Sequence, residues 1–374
     1  MFAEPAVRPP ARGRAGAGAT VRAMTGRERI LAALDGREPD RIPLALAFYH
    51  LEGAALAPPE EWRDGLIDVA FVDFPVSDEE EELRRRAMPY EGNARIGSSR
   101  QVARYESWGY HPETPETGNP LESATSLADL ERFPFPTVGG PRIVATLARE
   151  VDDLHRRGLA AGGNTPHLGG ELFEAAWRLR GLEQFLVDLV ERREMAHFLL
   201  DRLAEHARRN VATLVSAGID VLSLDDDVGM PGTMMMSPAT WREFFKPRLA
   251  GMIETARALR PDIRVIYHSD GYFEPILDDL VEIGVAGINP VQPDHMDAVR
   301  IRRRFGSRLA LWGTVGRQTT FSFDGPGAIE REVRDRIETL GRAGLVLCPA
   351  YDVDEPDVPW SSVAAFLEAG RTWG

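Results

Sequence analysis

Short apolar runs recur along the chain, each ending in polar, glycine or proline residues and most followed by a segment of helical period. Leu44 to Tyr49 ends at His50, and Asp68 to Val72 ends at Asp73. Leu159 to Gly163 ends at Asn164, Val221 to Leu224 at Asp225, and Arg264 to Tyr267 at His268. Ala286 to Ile288 ends at Asn289, Leu309 to Trp312 at Gly313, and Leu345 to Cys348 near Tyr351. These runs are almost continuously apolar, as strands covered on both faces must be. The intervening segments are long enough for crossover helices, which makes every strand pairing parallel. The clearest helix carries Leu172, Ala176, Leu179, Leu182, Phe185, Leu186 and Leu189 on one face; Ile329 to Leu340 is another, and Val363 to Leu367 belongs to a closing helix.

Eight such units predict a single α/β domain, a (β/α)8 TIM barrel. An open doubly wound sheet would show a glycine-rich phosphate fingerprint after its first strand, and the sequence has none there. Roughly eighty residues rich in Gly, Pro and aromatics follow Asp73, read as a long insertion after the second strand. The barrel is expected over residues 24–374, behind a disordered arm of residues 1–23. Thr25-Gly26-Arg27-Glu28 forms a capping box ahead of Ile30, Leu31 and Leu34, and Met24 is a candidate translation start.

Composition narrows the function classes. Of 374 residues, 43% are hydrophobic and 27% charged, with a formal net charge of -14 spread over short acidic runs. Such a surface lacks the basic stripe that nucleic acid requires. No run is long and apolar enough to be a membrane span, and residues 1–23 lack the apolar centre of a secretory signal. A single cysteine, Cys348, precludes an intrachain disulfide and points to a reducing cytoplasm. Its expected role is that of a small core residue.

Chemistry is expected at the carboxyl ends of the strands. Those ends bring together His50, Asp73, Asn164, Asp225, Asp226, Asp227, His268, Asp270, Asn289, Gln292, Thr314, Tyr351 and Asp352. His268 and Asp270 are the expected chemical centre, with Asp226 and Asp227 positioning a cation or the substrate. Asp225 is the least expected of its run to reach the site, and the alternatives for the whole run are a solvated acidic loop or the cap of a helix N-terminus. Tyr49, His50, Asn164, Asn289, Gln292, Trp312 and Tyr351 are expected to line the substrate pocket. Met234-Met235-Met236 reads as a lid or as filler between loop and barrel.

The stretch from Leu224 to Pro359 resembles the uroporphyrinogen decarboxylase superfamily, in particular its divergent, methyltransferase-like branch. The matching residues are Asp226-Asp227-Val228-Gly229, Ser237-Pro238, Trp241 to Phe244, Lys246-Pro247-Arg248, His268 to Gly271, Gly287 to Pro293 and Trp312-Gly313-Thr314. Upstream, Asp40 to Pro43, Trp108-Gly109 and Trp177 to Glu183 fit as well, so the resemblance covers essentially everything from Met24 onward. It implies transfer of a methyl group between a small methylated substrate and a corrinoid protein or a folate. Two alternatives stay open: a lyase that decarboxylates a porphyrinogen or other carboxylic acid, and a catalytically silent binding subunit. Assembly as a homodimer is among the expectations.

Two departures from the family pattern matter. No Lys or Arg occurs between Arg41 and Arg63, where porphyrinogen decarboxylases carry the arginines that grip carboxylates. The zinc-dependent methyltransferases use a His-X-Cys pair and a further Cys. Here Asp270 stands at the first cysteine position and Tyr351, next to Asp352, at the other. The resemblance therefore implies zinc or another divalent metal held by His268, Asp270 and Asp352, or metal-free acid–base chemistry by His268.

Overall fold

The computed structural model describes residues 22–46, 67–75, 119–136, 139–350 and 358–374. Seven strands form one parallel sheet: β1 (Val69–Val72), β2 (Ala160–Asn164), β3 (Val221–Asp225), β6 (Arg264–His268), β7 (Gly287–Asn289), β8 (Ala310–Trp312) and β9 (Leu345–Val346). They pair in chain order, interrupted only by a small hairpin, β4 (Gly229–Met230) with β5 (Thr233–Met234). Backbone bonds place residues 43–45 between the two outer strands. Ala45 N–H donates to the Leu347 carbonyl and Leu347 N–H to that of Pro43, while Asp68 N–H donates to that of Leu44. This segment takes the eighth stave's position, and the architecture is the expected TIM barrel.

Strand alternation divides the core in two. Val69, Phe71, Ala160, Val221, Ile266, Ala310, Trp312, Val346 and Cys348 fill the barrel interior. Ala70, Val72, Ala161, Leu222, Leu224, Val265, Tyr267, Ile288 and Leu311 face the surrounding helices. Inside, Phe71 meets Trp312 edge-on at 6.5 Å between ring centroids. Gly162 makes room for it, since a Cβ there would lie 2.8 Å from the Phe71 ring. Trp312, expected as a pocket wall, is 1% exposed and belongs to this packed interior. Cys348 is enclosed beside it, as expected of a core residue.

The helical pattern after β2 is two helices, Phe173–Arg180 and Leu182–Glu191, because Gly181 at φ 88° breaks the run. The capping box at Thr25 and Glu28 forms as its spacing predicts. At the amino-terminal face of the barrel, Asp68 takes Arg29 and Arg41, and Asp220 takes Arg27 and His155, which ties the first helix to the strands. Among the described residues no helix is long and apolar enough to cross a membrane.

Candidate active site

Three neighbouring strands end level with one another: Asp225 on β3 is the register partner of His268 on β6, which in turn pairs with Asn289 on β7. All three share the inward parity of Val221 and Ile266, so their side chains crown the barrel interior. The imidazole is held from behind. Asn289 Oδ1 lies 2.6 Å from His268 Nδ1, and Asn289 Nδ2 donates to the Trp312 carbonyl at 3.4 Å. That second bond fixes which way the amide faces, so Nδ1 carries the proton and Nε2 turns to the carboxylates. Nε2 stands 3.9 Å from Asp225 Oδ1 and 3.8 Å from Asp227 Oδ1.

Asp225 is 8% exposed, and its Oδ1 accepts no hydrogen bond. Its other oxygen lies 3.7 Å from His167 Nε2. Its backbone N–H donates to Glu171 Oε2 at 2.5 Å, while the Thr165 hydroxyl donates to Glu171 Oε1 at 2.7 Å. Burial, then the charges of Asp227 and Glu171, push the Asp225 carboxyl well above the usual carboxylate range. Burial pushes Glu171 up to about 8. Glu174 rises to about 7 through burial and the charge of Asp227, against the pull of Arg178 at 3.0 Å.

Asp226 does something different. Its carboxylate accepts the backbone N–H groups of Phe173 at 2.9 Å and Glu174 at 3.0 Å, capping the helix after β2. The expectation that it lines the site is corrected: one residue beyond Asp225, it takes the opposite face and the capping role. Burial raises it to about 8, opposed by those two N–H donors.

Asp270 lies one layer out. Its backbone N–H donates to Asp227 Oδ1 at 2.6 Å, and Gln292 Nε2 donates to its carboxylate at 3.1 Å. Gln292 Oε1 accepts the Gly271 N–H at 2.6 Å, so Gln292 ties the loops after β6 and β7 together. The hairpin β4–β5 rests on the same loop, with Tyr272 N–H donating to the Met230 carbonyl. Gly229 permits this contact, because a Cβ there would meet the Asp270 carbonyl at 2.2 Å. Met234, within the hairpin, is buried, and Met235 and Met236 pack on the core, so the filler role fits this methionine run.

The structure thus gathers Asp225, Asp227 and His268, whose ligand atoms lie within 4.8 Å of one another. Asp270 is a neighbour of that group rather than a member. Asn164 ends β2 as expected, with its amide oxygen buried. Tyr49, His50, Tyr351 and Asp352 lie outside the described residues. Sequence reasoning ranked Asp225 last of its run and passed over Glu171 and Glu174. Counting by twos from Val221 turns Asp225 inward and Asp226 outward, which was the available signal.

A decarboxylase would need two or more arginines turned into the mouth, and the sequence offers Arg178, Arg180, Arg242, Arg248 and Arg317. Arg180 is buried on Asp188 and two backbone carbonyls, Arg242 pairs with Asp279, and Arg248 with Asp201. Arg178 lies on Glu174 and over the Trp177 ring. These four are engaged by the protein itself; the fifth candidate, Arg317, is 9% exposed and opens the helical segment Arg317–Asp324 after β8.

A parallel barrel with a His–carboxylate cluster at the carboxyl ends of its strands has the layout of a barrel enzyme. The family model "Uroporphyrinogen decarboxylase (URO-D)" matches residues 172–373, and the chain belongs to that family. It is 25% identical over 357 residues to "Methylcobamide:CoM methyltransferase MtaA" of Methanosarcina barkeri, covering 92% of this chain and 97% of that protein. It is also 28% identical over 138 residues to the chloroplastic uroporphyrinogen decarboxylase of Zea mays, covering 36% of this chain and 33% of that one. Among solved structures, a methyltransferase from Methanosarcina mazei superposes with a TM-score of 0.64 at 19% identity, over 93% of this chain and 99% of that one. Within the family the chain sits in the divergent branch that resembles corrinoid methyltransferases.

The donor atoms do not fit the zinc–thiolate centre that this branch implies. Among the described residues the group around His268 supplies carboxylate oxygens and no sulfur, and Cys348 is sealed in the barrel core.

Proposed function

We propose that this protein transfers a methyl group between a small methylated substrate and a corrinoid carried by a partner protein. The observation that carries the reading is the orientation of His268: Asn289 fixes its Nδ1, which directs Nε2 toward Asp225 and Asp227 in the barrel mouth. The likeness to a methylcobamide methyltransferase along nearly the whole chain supports the same reaction class.

The chemistry asks for such a group. When a methyl group passes from an oxygen, nitrogen or sulfur atom to a reduced corrinoid, the bonding pair stays on the heteroatom, which then needs positive charge. In the reverse direction the accepting heteroatom loses a proton as the carbon–cobalt bond breaks and its electron pair stays with cobalt. His268 meets the need in both directions, giving a proton to the departing heteroatom in the first and taking one from the accepting heteroatom in the second, and a cation held by the same side chains would stabilise the same negative charge. Folate is the alternative carrier, since its nitrogen undergoes the same proton change. Asn164, Asp270 and Gln292 belong to the wall that receives the substrate. Decarboxylation of a polycarboxylate is the weaker reading, because Arg178, Arg180, Arg242 and Arg248 already have partners within the protein.

The test follows the absorbance of methylcobalamin in the presence of thiol or tetrahydrofolate acceptors. The protein accelerates loss of the methyl–cobalt bond, and His268→Ala abolishes that acceleration. Equal rates with and without protein, for every acceptor class, overturn the proposal.

A further inference from the structure

We propose that Asp225, Asp227 and His268, a donor set without sulfur, bind a divalent cation of intermediate hardness, manganese(II) or iron(II) in class. This goes beyond the methyl-transfer reading, which holds with a proton in the cation's place. The site departs from a zinc–thiolate centre in both its ligands and the metal it selects.

Geometry comes first. The separations of 3.8 and 3.9 Å between His268 Nε2 and the two carboxylate oxygens are too long for hydrogen bonds. They suit donors that each stand about 2.1–2.4 Å from one ion between them. The ligand atoms are also set before any ion arrives. Asp225 and His268 are register partners on adjacent strands, Asn289 orients the ring, and Asp227 is held by the Asp270 N–H.

The second observation is independent of the clustering. Asp225 Oδ1 is a buried polar atom with no hydrogen bond, on a residue only 8% exposed, and it lies on the His268 side of its carboxylate. A buried carboxylate oxygen left so is unfavourable, and a bound cation would satisfy it. Four further carboxyl groups, Asp227, Glu171, Glu174 and Asp226, act on Asp225. Asp227, with its side chain 37% exposed, leaves a route for an ion from solvent.

Two carboxylates and one imidazole define the class. Oxygen donors favour magnesium, calcium and manganese, whereas imidazole favours iron, zinc and their neighbours, and the overlap is a manganese- or iron-like ion. His167, 3.7 Å from Asp225 Oδ2, flanks the other side of the same carboxylate.

The experiment uses full-length protein stripped with a chelator and titrated calorimetrically with manganese(II) alone. The expected result is one ion per chain, with a raised melting temperature. Asp227→Asn and His268→Gln weaken binding at least tenfold, while Asp226→Asn leaves it unchanged. Asp225→Asn abolishes it; should that buried variant fail to fold, Asp227→Asn, at a half-exposed side chain, decides alone. Absence of stoichiometric binding by the wild type, or binding indifferent to Asp227→Asn, overturns the proposal. The titration contains no methyl donor, so failure to bind metal and failure to transfer a methyl group are read separately.

Discussion

Asn289 grips His268 from the side opposite the carboxylates, with its amide oxygen 2.6 Å from Nδ1. One hydrogen bond across two adjacent strand ends thereby decides which imidazole nitrogen is available for chemistry. Asn289→Leu keeps the bulk and removes the acceptor. Groups that orient a functional histidine are typically worth about 10–100-fold in activity or metal affinity. A loss in that range is expected, with unchanged circular dichroism. Rescue by Asn289→Asp, which restores the acceptor, separates orientation from packing.

Asp226 and Asp227 are adjacent in sequence and opposite in role. Asp226→Ala removes the cap of the helix Phe173–Arg180 and is expected to cost about 1–2 kcal/mol in urea unfolding. Asp227→Ala is expected to cost little stability and most of the activity, because its half-exposed carboxylate faces His268. Equal stability losses in the two variants would contradict this division.

The acid-face architecture was legible in part. The strand runs, their parallel order and the polar strand ends follow from apolar patterning, because buried parallel strands must be continuously apolar. His268 was legible as the residue closing the Arg264 to Tyr267 run. The choice among Asp225, Asp226 and Asp227 was not, since all three follow the strand and only its inward parity separates them. Trp312 was misplaced for a related reason: a large residue at a strand end reads as wall, yet it packs in the core edge-on against Phe71, for whose ring Gly162 leaves room. The cap on Phe173 and Glu174 depends on a contact between distant segments, which local patterning does not carry.

Glu171 gives the metal-free protein a pH signature. Its folded-state pKa of about 8 lies above the ordinary glutamate value of 4.5, so the folded state holds the proton more tightly than the unfolded chain. The unfolded chain releases it first, and stability contributed by this group is present below about 4.5 and lost as pH rises toward about 8. Within that window the loss approaches about 1.4 kcal/mol per pH unit. Glu171→Gln carries no titratable proton and is expected to flatten the fall in unfolding free energy between pH 5 and 8. Asp226, raised to about 8 by burial, contributes a remainder in the same direction. Chelator is kept present throughout, and an unchanged slope in the variant would refute the assignment.

Gly229 and Gly271 let the hairpin lie against the loop that carries Asp270. A Cβ at Gly229 would stand 2.2 Å from the Asp270 carbonyl, and Gly271 holds φ at 75°. Gly229→Ala is expected to displace that loop and lower turnover, with urea unfolding shifted by about 1–3 kcal/mol. Gly232→Ala at the hairpin tip, where a Cβ would meet nothing within 4 Å, keeps turnover while bearing only the backbone cost of its φ of 79°.

The most direct measurement is single-turnover methyl transfer between methylcobalamin and a panel of thiol and folate acceptors, comparing wild type with His268→Ala. Protein-dependent transfer to at least one acceptor is expected, with its loss, by about 100-fold or more, in a variant that remains folded. Transfer by His268→Ala at the wild-type rate would contradict this expectation.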